Sequence, residues 1–396
     1  MLKGKCVVLG VTGSIAAYKI ASLASALVKL QADVHVIMTK NATNFINPIT
    51  FETLTSNKCL VDTFDRNFEF NVEHVALAKR ADIFMVAPAS ANVIGKIACG
   101  IADDMLTTTI MAAKCKKLIS PAMNTNMYEN PILQDNLKKL RGYGYEIINP
   151  ATGYLACGDT GAGKMPEPEV LLQYILRELS HEHDLAGKRV LVTAGPTQEA
   201  IDPVRYITNH STGKMGYAIA KAAMERGAEV TLVSGAVAIQ PPMFVNLVPV
   251  VSAADMAREV KARATEMDIV IKSAAVADFR PATVADEKIK KGKDDAASIE
   301  LERTEDILSY LGANKQPGQF ICGFSMETEH MLENSQAKLK KKNVDMIVAN
   351  NLRTEGAGFG TETNVVTLIT SDGAKELPLM SKAEVADAIL DAIIGK

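Results

Sequence analysis

The chain has 396 residues, room for two or three domains, and its 47% hydrophobic and 22% charged residues exclude disordered and collagenous classes. Its 43 Lys+Arg against 46 Asp+Glu leave a net charge of −3. Neither half is basic, with 18 Lys+Arg against 17 Asp+Glu up to Glu182 and 25 against 29 beyond it, so nucleic acid is not an expected partner.

The first 30 residues combine Lys3 and Lys5 with an apolar stretch and Ala24, Ser25 and Ala26, a loose imitation of a secretory signal. Lys19 interrupts the run, and Gly10 and Gly13 sit where a strand would turn into a helix, so strand, loop and helix are expected instead. Further strands are expected at Val34 to Thr39, Ile83 to Pro88, Leu118 to Pro121 and Ile147 to Pro150, after a first at Cys6 to Val11. Ser14 to Leu30 and Pro131 to Arg141 carry helical periodicity. The alternation predicts a doubly wound α/β domain. After a helix ending near Leu179, the polar stretch SHEHDLAGKR at 180–189 marks a boundary, and domains are expected at 1–182 and 188–396.

The second half repeats the style, with strands at Val190 to Thr193, Glu229 to Ser234, Asp268 to Ser273, Gln319 to Phe324 and Met346 to Ala349. Asn364 to Thr370 and Glu376 to Leu379 are expected as a hairpin turning at Asp372-Gly373, before a last helix near Ala383 to Ile394. The fold class is α/β, with two doubly wound parallel-sheet domains of Rossmann-like build, the first flavodoxin-like. The six cysteines form no CxxC pair and read as free thiols in a reducing cytoplasm. No stretch of 18 uncharged apolar residues offers a membrane span, and no metal ligand set is legible.

Three strand ends in the first half carry small polar residues: GVTGSIAAYK at 10–19, APASAN at 87–92 and PAMN at 121–124. Loop amides and a helix start can hold a phosphate, but the spacing is not GxGxxG, so a flavin mononucleotide fits about as well as a dinucleotide. A nicotinamide-linked dehydrogenase would need that glycine pattern and an acidic residue at the ribose distance. His74, opening EHVALA, titrates near neutrality but alone reads as surface decoration. Cys157 lies in ACGDTGAGKM, where Gly158, Gly161 and Gly163 predict a mobile loop able to carry a thiol to a substrate.

In the second half, TAGPTQE at 193–199 follows a strand and can present amides to phosphate. DPVRYITNHSTGKMG at 202–216 is not a P-loop, because Thr208 stands where its first glycine belongs and Met215 where Ser or Thr belongs. AAVADFRP at 274–281 precedes EKIKK at 287–291; that run and KLKKK at 338–342 each read alone as a solvated face.

Over its whole length the chain resembles the bifunctional phosphopantothenoylcysteine decarboxylase and phosphopantothenate:cysteine ligase family of coenzyme A biosynthesis. The motifs that carry this are TGSIAAYK, SAN, PAMN and ACGD, then TAGPT, NHSTGKMG, AAVADFRP, KIKK and GFSMET. Lys164 replaces the arginine common in the family, and Thr212, Ser325 and Met326 are departures from SSGKMG and GFAAET. The resemblance implies FMN binding by Gly13, Ser14, Ser90 and Asn92, substrate carboxylate binding by Asn124, and acid/base or proton-donor roles for His74 and Cys157. It also implies acyl-transfer assistance by Asn209, a substrate site including Arg205, and phosphate binding by Lys288. Ala275, Asp278, Phe324, Lys338 and Lys342 would lie at CTP, with Mg2+ as its ion. The implied partners are 4'-phosphopantothenate, cysteine and CTP, in a cytoplasmic homo-oligomer of trimeric decarboxylase and dimeric ligase units, together a dodecamer.

Overall fold

The computed structural model describes residues 2–64, 73–154, 158–290, 298–327, 331–351, 358 and 360–395. It divides into two compact units, Met1–His181 and Glu182–Lys396.

In the first unit the strands β1 (Cys6–Val11), β2 (Asp33–Met38), β3 (Ile83–Ala89), β4 (Lys116–Pro121) and β5 (Glu146–Ile147) form one sheet, in the order β2-β1-β3-β4-β5. All its pairs are parallel. β1 is buried along its whole length because both faces are covered. Val7, Leu9 and Val11 pack with Ile20, Leu23 and Leu27 on one side, while Cys6 and Val8 pack with Phe84, Leu106 and Leu137 on the other. The helix expected from Ser14 begins later. Ser14 caps a 3-10 turn at Ile15–Ala17, and the α-helix runs Tyr18–Lys29. β5 stops at Ile147, short of Pro150, which has no N–H to give a ladder. β6 (Ala151–Tyr154) and β7 (Thr160–Lys164) form an antiparallel hairpin where a mobile loop was expected.

The second unit opens with β8 (Arg189–Ala194), β9 (Gln198–Ala200), β10 (Tyr206–Thr208), β11 (Glu229–Ser234), β12 (Asn246–Pro249) and β13 (Ile269–Lys272). It continues with β14 (Phe279–Pro281), β15 (Leu301–Arg303), β16 (Phe320–Glu327) and β17 (Met346–Asn351). The last strands are β18 (Thr363–Asn364), β19 (Val366–Thr370), β20 (Gly373–Glu376) and β21 (Met380–Ser381). The main sheet runs β12-β11-β8-β13-β16-β17-β19-β20, parallel up to β17 and antiparallel over the last two strands. The terminal hairpin turns at Ser371-Asp372, one residue earlier than expected, with Thr370 paired to Gly373. Its second strand is therefore Gly373–Glu376, and Met380–Ser381 pairs with Thr363–Asn364 instead.

The expected domain start at Lys188 leaves out chain that belongs to this unit. Leu185 is 1% exposed within its core, and its amide donates to the Arg226 carbonyl at 3.0 Å. Asp184 accepts from Arg226 Nε at 2.8 Å and Nη2 at 2.7 Å, while Asp391 pairs with Nη1 at 2.8 Å. The polar stretch hid this because its single apolar anchor makes no period. The five described cysteines are free thiols. Among the described residues, no helix is long and apolar enough to cross a membrane.

Candidate active sites

β1 and β3 are neighbours while β2 lies on the outer side of β1, so the winding reverses between β1 and β3 and leaves a crevice beyond their carboxyl ends. Thr12, fully buried there, donates through Oγ1 to the Pro88 carbonyl at 2.6 Å and accepts from the Ser90 amide at 2.9 Å. One hydroxyl thus ties the loops after the two strands together. At Gly13 a Cβ would lie 2.9 Å from Asn41 Cβ, so the approach of the loop after β2 requires glycine. Ser14 accepts from the Ala16 amide at 3.4 Å, and Ser90 from the Val93 amide at 3.4 Å, capping the 3-10 turn and the helix Ala91–Cys99. Asn92 is exposed in the first turn of that helix.

A cleft of about 500 Å³ brings Ser14 and Asn124 together, with Lys19, Tyr154 and Glu167 also in its wall. That volume suits a small-molecule ligand of ordinary size, ~300–1,000 Å³. Asn124 Oδ1 accepts from the Asn126 amide at 2.8 Å and Nδ2 donates to Asp159 at 2.8 Å. Lys19 Nζ donates to both Glu167 oxygens at 2.7 Å, and this bond above all holds the Glu167 carboxyl below the usual range. The hairpin β6–β7 is laid on the PAMN loop, with the Met123 amide donating to the Gly163 carbonyl at 3.0 Å. Gly163 has φ +132, and a Cβ there would stand 2.3 Å from the Met123 carbonyl oxygen. At Gly161 it would stand 2.5 Å from Thr125 Oγ1. These glycines serve close approach, which a reading of composition as mobility overlooks.

Of the residues expected at FMN only Ser14 lines this cleft, beside exposed Ile15 and Tyr18 side chains that suit a flat apolar ring system, while Gly13, Ser90 and Asn92 lie outside its lining. His74 sits half-buried in the first turn of the helix Glu73–Arg80 and does not line this cleft. Cys157 lies outside the described residues. Among the described residues, Cys6, Asp33 and His35 bring ligand atoms within 4.8 Å of one another. Arg80 fills that group with the protein's own cation, donating to His35 Nε2 and pairing with Asp33 at 3.4 Å.

In the second unit the winding reverses between β8 and β13. Ser273 Oγ donates to the Thr193 carbonyl at 2.5 Å, and Thr193 Oγ1 accepts from the Ala274 amide at 3.1 Å. Asn209 Nδ2 donates to the Ala275 carbonyl at 3.0 Å, joining two of the expected residues directly. Both line a cleft of about 230 Å³ together with Gly195, Lys214, Phe324 and Lys382. An adjoining cleft of about 370 Å³ shares Phe324 and adds Asp278, Asp306, Lys338 and Lys272.

The expected nucleotide residues from separate segments therefore converge. Lys338 Nζ donates to the Phe324 carbonyl at 3.3 Å and to Ser325 Oγ at 3.4 Å. Lys342, one turn on in the helix Met331–Lys342, donates to Asp306 and, at 2.7 Å, to Ser309 Oγ. Burial raises the Asp306 carboxyl, but Lys342 and the Ser309 amide outweigh it and the net shift is downward. Only half of KLKKK is a solvated face: Lys340 and Lys341 are exposed, while Lys338 and Lys342 turn inward.

Arg205, Lys288 and Lys342 do not line either cleft. Arg205 binds Asp202 through Nε at 3.0 Å and through Nη2, and donates to the Ile289 carbonyl at 3.0 Å. The Ile289 amide donates to Asp202 at 3.2 Å, so this pair anchors the chain beside exposed Lys288. Asp202 is 3% exposed, and its hydrogen bonds, that of Arg205 foremost, hold its carboxyl well below the usual range. Lys272 was missed in the sequence because one lysine ending the apolar run Ile269–Ile271 looks like an ordinary strand terminus. Burial, its largest influence, brings its ammonium down to about 8.

Residues 1–180 match the flavoprotein family, and residues 185–396 match the DNA/pantothenate metabolism flavoprotein C-terminal domain. The chain is 49% identical over 397 residues to the coenzyme A biosynthesis bifunctional protein CoaBC of Bacillus subtilis (strain 168), covering 99% of this chain and 97% of that one. To the protein of the same name from Vibrio vulnificus (strain CMCP6) it is 44% identical over 393 residues, covering 99% and 98%. A crystal structure of the C-terminal domain of a coenzyme A biosynthesis bifunctional protein CoaBC is 48% identical, covering 53% of this chain and 95% of that one, with a TM-score of 0.45. Matched over 99% of its length by such relatives, and matching both family models, the chain belongs to the family of coenzyme A biosynthesis bifunctional proteins.

Proposed function

We propose that the second unit joins 4'-phosphopantothenate to cysteine at the expense of CTP, and that the first unit decarboxylates the phosphopantothenoylcysteine so made to 4'-phosphopantetheine. The observation that carries this is the convergence of Asn209, Ala275, Asp278, Phe324 and Lys338, from distant segments, on two adjoining clefts at the sheet's reversal point.

A carboxylate is a poor electrophile, so amide formation needs activation. The substrate carboxylate attacks the α-phosphorus of CTP, pyrophosphate leaves, and the cysteine amine then displaces CMP from the acyl-cytidylate. Lys288, Lys338 and Lys342, together with bound Mg2+, would offset the phosphate charge. Asn209, at the cleft wall, hydrogen-bonds the acyl carbonyl as the amine attacks.

In the first unit, bound FMN supplies a reversible two-electron sink, without which loss of CO2 would leave an unstabilised carbanion. Gly13, Ser14, Ser90 and Asn92 hold its phosphate end, and Asn124 orients the substrate carboxylate. Cys157 donates the closing proton, and His74 is the acid/base group of the earlier step. His74 does not line the cleft of its own chain, which favours trimeric decarboxylase units with sites completed between copies, alongside dimeric ligase units, in a cytoplasmic dodecamer.

The full chain, given 4'-phosphopantothenate, cysteine and CTP, should yield CMP, pyrophosphate, CO2 and 4'-phosphopantetheine in equal amounts. Supplying phosphopantothenoylcysteine should remove the need for CTP. Amide formation supported by ATP and not by CTP would overturn the nucleotide assignment, and CO2 release without FMN would overturn the decarboxylase reading.

A further inference from the structure

Lys272 ends β13, which lies between β8 and β16 at the centre of the second sheet. A lysine closing an apolar strand normally runs its stem along the surface and places its ammonium in water. Here the side chain lines the cleft of about 370 Å³ with Asp278, Asp306 and Lys338. Among the described residues its one hydrogen bond is to the Ala274 carbonyl, at 3.3 Å. An ammonium has three donors, so two are left to a ligand. Asp306, the carboxylate with the largest pull on it, is already bound by Lys342.

We propose that Lys272 is a phosphate-binding residue of this cleft and that it takes up a proton from solvent when a nucleoside triphosphate binds. This rests on the ligase reading of the second unit. The charged groups around the amine are Lys338 and Lys342 from the helix Met331–Lys342, Asp278 from the loop after β13, and Arg303, Glu305 and Asp306 from the segment before the helix Ile307–Ala313. Burial first, and then Lys338 and Lys342, lower its pKa to about 8 against the pull of Asp306 and Asp278. A polyphosphate beside it favours the ammonium and raises that value. Affinity is therefore full below about 8 and falls as pH rises past it, until the bound-state value is passed.

The test is calorimetric titration of the full chain with CTP at pH 8.0, in Tris and in HEPES, whose ionisation heats differ. The second phosphate ionisation, near ~6, is complete there, so the nucleotide contributes little to proton exchange. Wild type should take up about half a proton per CTP. Lys272→Arg, charged at every pH used, should bind without uptake. Lys272→Met should bind roughly ten- to hundredfold more weakly, also without uptake. Equal heats in the two buffers for wild type, or wild-type affinity and uptake in Lys272→Met, overturn the proposal. If Lys272→Met fails to fold, Lys272→Arg decides it, since proton uptake that persists with the arginine present overturns the proposal. Wild type that binds no CTP overturns the ligase reading and this proposal with it, whereas the variant outcomes touch Lys272 only.

Discussion

The cleft at the end of β1 and β4 is shaped by backbone: glycines at 13, 161 and 163 let loops approach within van der Waals contact, and its half-buried Lys19 and Lys164 share one carboxylate, Glu167. The cleft at the end of β13 and β16 is shaped by side-chain charge, with Lys272, Arg303 and Lys338 set against Asp278, Glu305 and Asp306. Both stand where a doubly wound sheet reverses, so the same architecture offers two different solvents. A closely walled cleft with few charged groups suits a flat redox group and the expulsion of CO2, while one crowded with lysine, arginine and carboxylate side chains suits a polyphosphate and its counter-ion.

If that contrast is right, a lesson learned in one unit should leave the other half-reaction untouched. The largest effect is expected from Cys157→Ser. A hydroxyl is a far weaker acid than a thiol, so 4'-phosphopantetheine formation should fall by about 10³-fold while CO2 is still released in one anaerobic turnover and CTP consumption is unchanged. Wild-type turnover would make the thiol a bystander. Next comes Asn209→Ala, expected to lower amide formation by roughly 10²- to 10³-fold while pyrophosphate release continues and phosphopantothenoylcysteine is still decarboxylated. Loss of pyrophosphate release in step with the amide would move Asn209 into activation.

A fragment 182–396 should be more stable than one starting at Lys188, by about 2 kcal/mol for Leu185 burial alone, read as a higher Tm. Equal melting would show that Asp184 and Leu185 are ornamental. The smallest effect is expected from Gly163→Ala. Its Cβ meets the Met123 carbonyl oxygen and its φ is strained for alanine, which together cost about 1–3 kcal/mol and should slow decarboxylation tens of fold with ligation intact. Unchanged kinetics would show that the hairpin does not need its seat on the PAMN loop.

The strands were legible because apolar β-branched runs ending in Gly, Pro or small polar residues have few other readings; Cys6–Val11 and Glu229–Ser234 coincide with their expected spans. What escaped was information that only pairing at a distance creates. Asp202, Arg205 and Ile289 make one clamp across more than eighty residues of sequence, and no local pattern announces it. Thr12 was passed over as part of a glycine turn, although its hydroxyl joins its own loop to the end of β3, at Pro88 and Ser90, 76 and 78 residues away. Lys338 and Lys342 needed the helix itself, which sets the first and last lysines of the run, one turn apart, on the same half-buried face and leaves Lys340 and Lys341 exposed.

The long sheet of the second unit has two free borders, β12 and β20. β20 reads Gly373, Ala374, Lys375, Glu376, exposed throughout, and β12 ends in Pro249. Charge along one border and a missing amide on the other are the features that keep an open ladder from recruiting strands of a neighbouring molecule. The antiparallel hairpin thus acts as a hem: the polar strand at the margin is sacrificed to solvent so that the apolar strands inside it, β17 and β19, never present a raw edge while the chain is folded.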